Sequence, residues 1–89
     1  MTTTLSPDTI LATVTEIATA ETGLPAEVLT PDADLRAMAG VDSVRVLRMV
    51  ARIERSFDIE LDDADVFALS SLADVVRVVE KSLAEATPA

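Results

Sequence analysis

Met38-Ala39-Gly40-Val41-Asp42-Ser43-Val44-Arg45-Val46-Leu47-Arg48-Met49-Val50 is the stretch that decides the fold. From Met38 to Asp42 it holds a glycine and shows no helical period. From Ser43 onward the apolar residues recur at spacings of three and four, so a loop ends and an amphipathic helix begins. Ser43 therefore lies at or beside a helix N-terminus. The first N–H groups of a helix have no partner within it, and the aligned peptide dipoles leave partial positive charge there. An anion attached to the Ser43 hydroxyl would meet a favourable field and free donors. An Asp-Ser pair at a helix start also reads simply as an N-cap with an acidic neighbour. The surrounding chain decides between the two.

At about 100° per residue, the predicted helix from Ser43 to Phe57 gathers Val46, Val50, Ile53 and Phe57 on one side, flanked by Leu47 and Met49. Arg45, Arg48, Arg52 and Arg55 gather on the other, four of the seven basic residues in the chain. Like charges three or four apart on a helix cost about 0.2–0.5 kcal/mol per pair, and Arg45 lies near the positive end of the dipole. Two readings follow. The stripe is a solvated face balanced by an acidic body, or it is a docking face for partners with acidic patches. On the second reading, Arg48→Glu slows partner association and, by relieving like-charge neighbours, slightly stabilises the free protein.

Upstream, Ser6-Pro7-Asp8 predicts a helix start, with an N-cap, Pro at the first helical position and an acid facing the dipole. Ile10, Leu11, Val14, Ile17, Ala18 and Glu21 continue it at helical spacing until Gly23 and Pro25 stop it. Residues 24–42 form a long connection, pinned by Leu24, Val28, Leu29 and Leu35, in which a short helical turn is compatible with the sequence. Downstream, residues 58–63 read as an acidic loop anchored by Ile59 and Leu61. Asp63 is placed to cap a short helix through Leu69. Ser71-Leu72-Ala73-Asp74 then resembles a capping box. Leu72, Val75, Val76, Val79 and Leu83 carry the apolar stripe of a last helix, despite a β-branched run that could pass for a strand. The ends, 1–5 and 84–89, are expected to fray. The fold class is all-α: a single domain, 1–89, built as a small four-helix bundle of three long helices and one short, with a long loop between the first and second. Leu47, Val50, Ile53 and Phe57 are expected to face Val14, Ile17 and the last helix.

The composition excludes much. The 89-residue chain has neither Cys nor His, so it has no disulfide, no thiolate zinc site, no cysteine nucleophile, and none of the commonest general base and metal ligand. Acidic residues alone, without metal-ligand spacing, do not make a catalytic site; neither a catalytic nor a metal site is expected. No run of about eighteen apolar residues is present, and Met-Thr-Thr-Thr lacks the basic and apolar regions of a signal peptide. The expected location is the cytoplasm. A net charge of −9 repels nucleic acid and anionic membrane.

Several motifs, in register from about Gly23 to Val79, are similar to those of the acyl carrier proteins. That family's Gly-x-Asp-Ser-Leu motif stands here as Gly40-Val41-Asp42-Ser43-Val44, and its Phe-Asp-Ile-Glu-Ile-like segment as Phe57-Asp58-Ile59-Glu60-Leu61. An acidic stretch (Asp62-Asp63-Ala64-Asp65), the helix opening Ser71-Leu72-Ala73-Asp74-Val75, and the upstream Gly23-Leu24 and Leu29-Thr30-Pro31-Asp32-Ala33 match as well. The resemblance implies a non-enzymatic, free-standing carrier that holds acyl, aminoacyl or polyketide intermediates as thioesters on a 4′-phosphopantetheine arm. The arm would come from coenzyme A and be attached to Ser43. Implied partners are a phosphopantetheinyl transferase and acyl-loading and acyl-transfer enzymes, met by a monomer. Asp42 resembles the family residue that contacts the transferase, and Val44 stands at an apolar contact for partner enzymes. The stripe of Arg45, Arg48, Arg52 and Arg55 bears on partners only through the docking reading given above. The sequence departs from the family in three places: Ala39 precedes Gly40 where leucine is common, leaving Met38 to fill that apolar seat; Val44 replaces leucine; and Arg48 stands where primary-metabolism carriers are acidic. The alternatives are a peptidyl carrier of nonribosomal peptide assembly and a non-carrier helical interaction module in which Ser43 is only a cap.

Overall fold

Ser6 starts the first helix as predicted: the Thr9 N–H donates to its Oγ at 3.2 Å, and Pro7 occupies the first turn of α1, Pro7–Thr22. The structure, a computed structural model, describes residues 6–38 and 41–86. The motif residues Ala39 and Gly40, and the segments 1–5 and 87–89 predicted to fray, lie outside the described residues. Gly23 closes α1 in the left-handed region, φ +75°, its N–H donating to the Thr19 carbonyl. A Cβ at this position would touch nothing within 4 Å, so only backbone strain opposes a side chain. Gly23→Ala is expected to lower the unfolding free energy by about 1 kcal/mol in a denaturant titration.

The remaining helices are α2, Ser43–Phe57; α3, Asp63–Ala68; and α4, Leu72–Ala86. Three are long and one short. No strand occurs among the described residues. α1 packs against both α2 and α4, and Ile10, Val14, Met49, Ile53, Leu72, Val75 and Val79 are buried between them. The β-branched run in α4 is helical because Val75, Val76 and Val79 all reach this core, and tertiary burial outweighs a small propensity cost. The α4 cap is close to the one predicted: the Asp74 N–H donates to Ser71 Oγ at 3.2 Å. The Asp74 carboxylate reaches back to the N–H and hydroxyl of Ser70, one residue before the cap, at 3.1 and 2.7 Å.

Some expectations need correction. Leu47, placed on the core face, is 59% exposed, whereas Met49, taken as a flank, is buried. The core arc of α2 is rotated toward Met49 because α1 lies on that side. Phe57 is only half-buried. Val28 is not an apolar pin but is largely exposed; Leu29 and Leu35 are buried and Leu24 is half-buried. α3 is preceded by Asp62 in the cap position rather than Asp63, with no side-chain cap bond. α4 runs on to Ala86 where fraying from residue 84 was expected, since Ala84-Glu85-Ala86 are strong helix formers and Pro88 lies beyond them.

The long connection is held at defined points. A single 3-10 turn, Leu35–Ala37, is capped by Asp34, whose Oδ1 accepts the Arg36 N–H at 3.0 Å. The Leu35 N–H donates to the Ser70 carbonyl at 2.8 Å and the Ala73 N–H to the Pro31 carbonyl at 3.0 Å, joining this loop to the start of α4. Met38 is half-buried against the core, as expected of a residue taking the apolar seat before the glycine.

Candidate functional site

Asp42, not Ser43, is the N-cap of α2. Its backbone is extended, and its Oδ1 accepts the Arg45 N–H at 2.8 Å. Ser43 is thereby the first helical residue. Its side chain is exposed, and its hydroxyl makes no hydrogen bond among the described residues. The N–H of Val46 donates to the Asp42 carbonyl and that of Arg45 to the Asp42 side chain. The N–H groups of Ser43 and Val44 have no acceptor among the described residues. An anion on the Ser43 oxygen would therefore meet two N–H groups with no acceptor among the described residues and the positive end of the helix dipole. That arrangement fits a phosphate ester.

Ser43 also borders a cavity of about 480 Å³ between α2 and α3. Its exposed lining residues, Arg36, Asp42, Ser43, Leu47 and Phe67, mark the mouth. Its buried ones, including Met49, Ile53, Leu69 and Val75, make an apolar floor. Leu47 and the 77%-exposed Phe67 are the apolar lips. This cavity was not legible from residue order, because it depends on how far α3 stands from α2.

The arginine stripe is not a uniformly solvated face. Three of its members converge on the last turn of α1. Arg48 Nε lies 3.2 Å from Glu21 Oε1, and Arg52 Nη1 lies 2.8 Å from Glu21 Oε2. Arg45 Nε donates to the Glu21 backbone carbonyl at 3.2 Å, while its Nη1 lies 3.3 Å from Asp42 Oδ2. α1 has no basic residue in its own last turn, so these side chains supply positive charge to its negative end. The like-charge cost expected from spacing is offset through Glu21, whose side chain is only 12% exposed. Arg55 is exposed and has no ionic partner among the described residues. Val44 is 61% exposed beside the stripe.

Sequence reasoning missed Glu21 as a node, having counted it only as part of the α1 period. It also missed Arg36. Arg36 Nε donates to the Leu69 carbonyl at 2.9 Å and its Nη2 to the Phe67 carbonyl, which fixes the C-terminal end of α3. No group of acidic residues that could hold a metal ion occurs among the described residues, and no described helix is long and apolar enough to cross a membrane.

Residues 12–79 match the family model described as the phosphopantetheine attachment site. The acyl carrier protein of Akkermansia muciniphila is 34% identical over 77 residues, which cover 86% of this chain and 96% of that protein. The solution structure of oxytetracycline acyl carrier protein superposes with a TM-score of 0.69 at 25% identity, covering 99% of this chain and 92% of that one. A thermally stable acyl carrier protein from Enterococcus faecalis gives a TM-score of 0.73 at 19% identity, over 88% of this chain and 99% of that one, a likeness of fold alone. With a family match across most of its length, a relative above 30% identity and the same helical bundle in solved members, the chain belongs to the acyl carrier proteins.

Proposed function

We propose that Ser43 is the attachment residue and that α2 presents the loaded site to partner enzymes. The chain is a carrier rather than a catalyst: it holds acyl groups on 4′-phosphopantetheine, and it works with acyl-handling enzymes. The arm supplies the thiol on which acyl groups are held. The observation that carries the assignment is the Ser43 hydroxyl, exposed, free of hydrogen bonds among the described residues and set at the first position of α2. Asp42 already caps the helix, which supports a role for Ser43 other than capping. A phosphopantetheinyl transferase would direct the Ser43 oxygen at the β-phosphate of coenzyme A. A P–O bond forms, adenosine 3′,5′-bisphosphate leaves, and the transferase takes the hydroxyl proton. The first N–H groups of α2 then face the phosphodiester charge. The apolar cavity beside Ser43 is the seat for an acyl chain. Incubation with coenzyme A and a broad-specificity transferase, followed by peptide mapping, is expected to find the added mass on the peptide containing Ser43. Added mass elsewhere would refute it.

The finer reading of partners is a monomer in the cytoplasm that meets the transferase and the loading and transfer enzymes through Asp42, Val44, Arg45, Arg48, Arg52 and Arg55. The net charge of −9 speaks against nucleic acid and anionic membrane. α2 itself carries four arginines against one glutamate, which suits partners with acidic patches. Arg55 tests this cleanly, since it holds no ion pair among the described residues. Arg55→Glu is expected to slow association with a loading or unloading enzyme at low salt, with a smaller effect near 0.15 M, where the Debye length is about 8 Å. The loss of stability is expected to be no more than about 1 kcal/mol, because the new carboxylate sits in the last turn of α2. Stopped-flow association rates and melting curves check both parts. Arg48→Glu behaves differently from what spacing alone predicts. It sets a carboxylate against the largely buried Glu21 and is expected to destabilise the free protein, by about 1 kcal/mol, since Arg48 itself is exposed and Arg52 still pairs with Glu21.

A further inference from the structure

We infer that Arg36 is a positioning residue of the cavity beside Ser43, holding α3 in place as its outer wall. This rests on the reading of that cavity as the seat of an acyl chain. α3 has six residues and none of them is buried. Val66 is only partly buried against the core, and the Lys81–Asp65 contact to α4, at 3.4 Å, is an exposed ion pair that contributes little. The buried Leu61 and Leu69 pin the chain on either side of α3, and the guanidinium of Arg36 adds the polar tie that holds its C-terminal end. Two of its nitrogens donate to carbonyls at and just before the end of α3, those of Leu69 and Phe67. Both carbonyls lie at a helix C-terminus, where orphan acceptors gather and positive charge is favoured. A guanidinium presents several donors in a fixed fork, which an ammonium cannot reproduce.

The anchor at the other end is firm. The Arg36 backbone N–H is held by Asp34, and the preceding Leu35, buried in the core, donates its N–H to Ser70. Arg36 therefore ties a mobile-sized element to a rigid one. Arg36, Val66, Phe67 and Leu69 all line the cavity that Ser43 borders. Releasing Arg36 lets α3 swing from α2, opens the apolar floor to water and exposes whatever chain is seated there. Phe67, largely exposed at the mouth, moves with α3 and sets the width of the entrance.

The test uses the full chain in two forms. In the unmodified protein, amide hydrogen exchange is compared for wild type, Arg36→Ala and Arg36→Lys. Arg36→Ala is expected to raise exchange at Val66 to Ser70 about tenfold or more, the scale of lost charge-assisted bonds, above any change common to α1, α2 and α4. Arg36→Lys restores this only in part. In the second form, octanoyl-coenzyme A and a broad-specificity transferase supply the octanoyl-loaded protein, and cleavage of the thioester by hydroxylamine is followed. Arg36→Ala is expected to speed cleavage several-fold, with Arg36→Lys between. An exchange increase spread evenly over all helices, or none at all, overturns the positioning role. Faster α3 exchange with unchanged cleavage overturns its link to the seated chain. Failure of the wild-type chain to take any arm refutes the carrier reading instead, and leaves the exchange result to decide on Arg36 alone.

Discussion

Ser43→Ala is expected to leave incubation with coenzyme A and a broad-specificity phosphopantetheinyl transferase at its unmodified mass. Ser56→Ala, Ser70→Ala and Ser71→Ala should each gain the arm as wild type does. The effect is all-or-none because the oxygen of Ser43 is the proposed nucleophile and, among the described residues, no other hydroxyl borders the same cavity. Loss of modification through misfolding is separable, since Ser43 makes no side-chain hydrogen bond among the described residues and the cap belongs to Asp42. Melting curves of Ser43→Ala and wild type should agree to within about 0.5 kcal/mol. Had the hydroxyl capped the helix, as an Asp-Ser pair also permits, the cost would be nearer 1 kcal/mol. Modification persisting in Ser43→Ala would overturn the assignment.

The second large effect is on the core. Ile53 is 1% exposed, on the buried side of α2. Ile53→Ala is expected to cost about 2–5 kcal/mol through lost burial and the cavity left behind. In a domain of this size that is a large fraction of the total stability, and it corresponds to a melting temperature lower by roughly 10–30 °C. Leu47→Ala, six residues earlier but on the exposed side, should cost under about 1 kcal/mol. The half-buried Phe57 falls between them. Chemical denaturation of the three variants orders them directly, and an equal loss at Leu47 and Ile53 contradicts the orientation of α2 described above.

That contrast shows what a chain of this kind discloses in its residues. The helix ends were legible because caps act locally: Ser6 with Pro7, Gly23, and Ser71 with Asp74 each satisfy donors or acceptors within a few positions. The family was legible because Gly40 to Val44 and Phe57 to Leu61 stand in register with other motifs. The rotation of α2 was not. A stripe of Val46, Leu47, Met49, Val50 and Ile53 is wider than any one neighbour can cover, so only the placement of α1 decides that Met49 is buried and Leu47 is not. Contacts made at long range were equally hidden. Nothing in the order of residues relates Glu21 to Arg48 and Arg52, or Arg36 to the carbonyls of α3, thirty or so positions away. The four arginines of α2 are exposed, as their spacing implied, but their relation to Glu21 could not be read from spacing.

The capping of α2 by Asp42 has a consequence for the history of each molecule. Folding and modification share no hydrogen bond: the side chain that closes the helix is one residue away from the side chain that would be modified. The coupling that remains is electrostatic, the attraction of a phosphodiester to a helix N-terminus, on the order of 0.3–1 kcal/mol. A newly made chain is thus close to its full resistance to proteases before any arm is attached, since proteolysis of the opened state follows the unfolding equilibrium. Unmodified and modified chains are therefore expected to survive limited proteolysis about equally well.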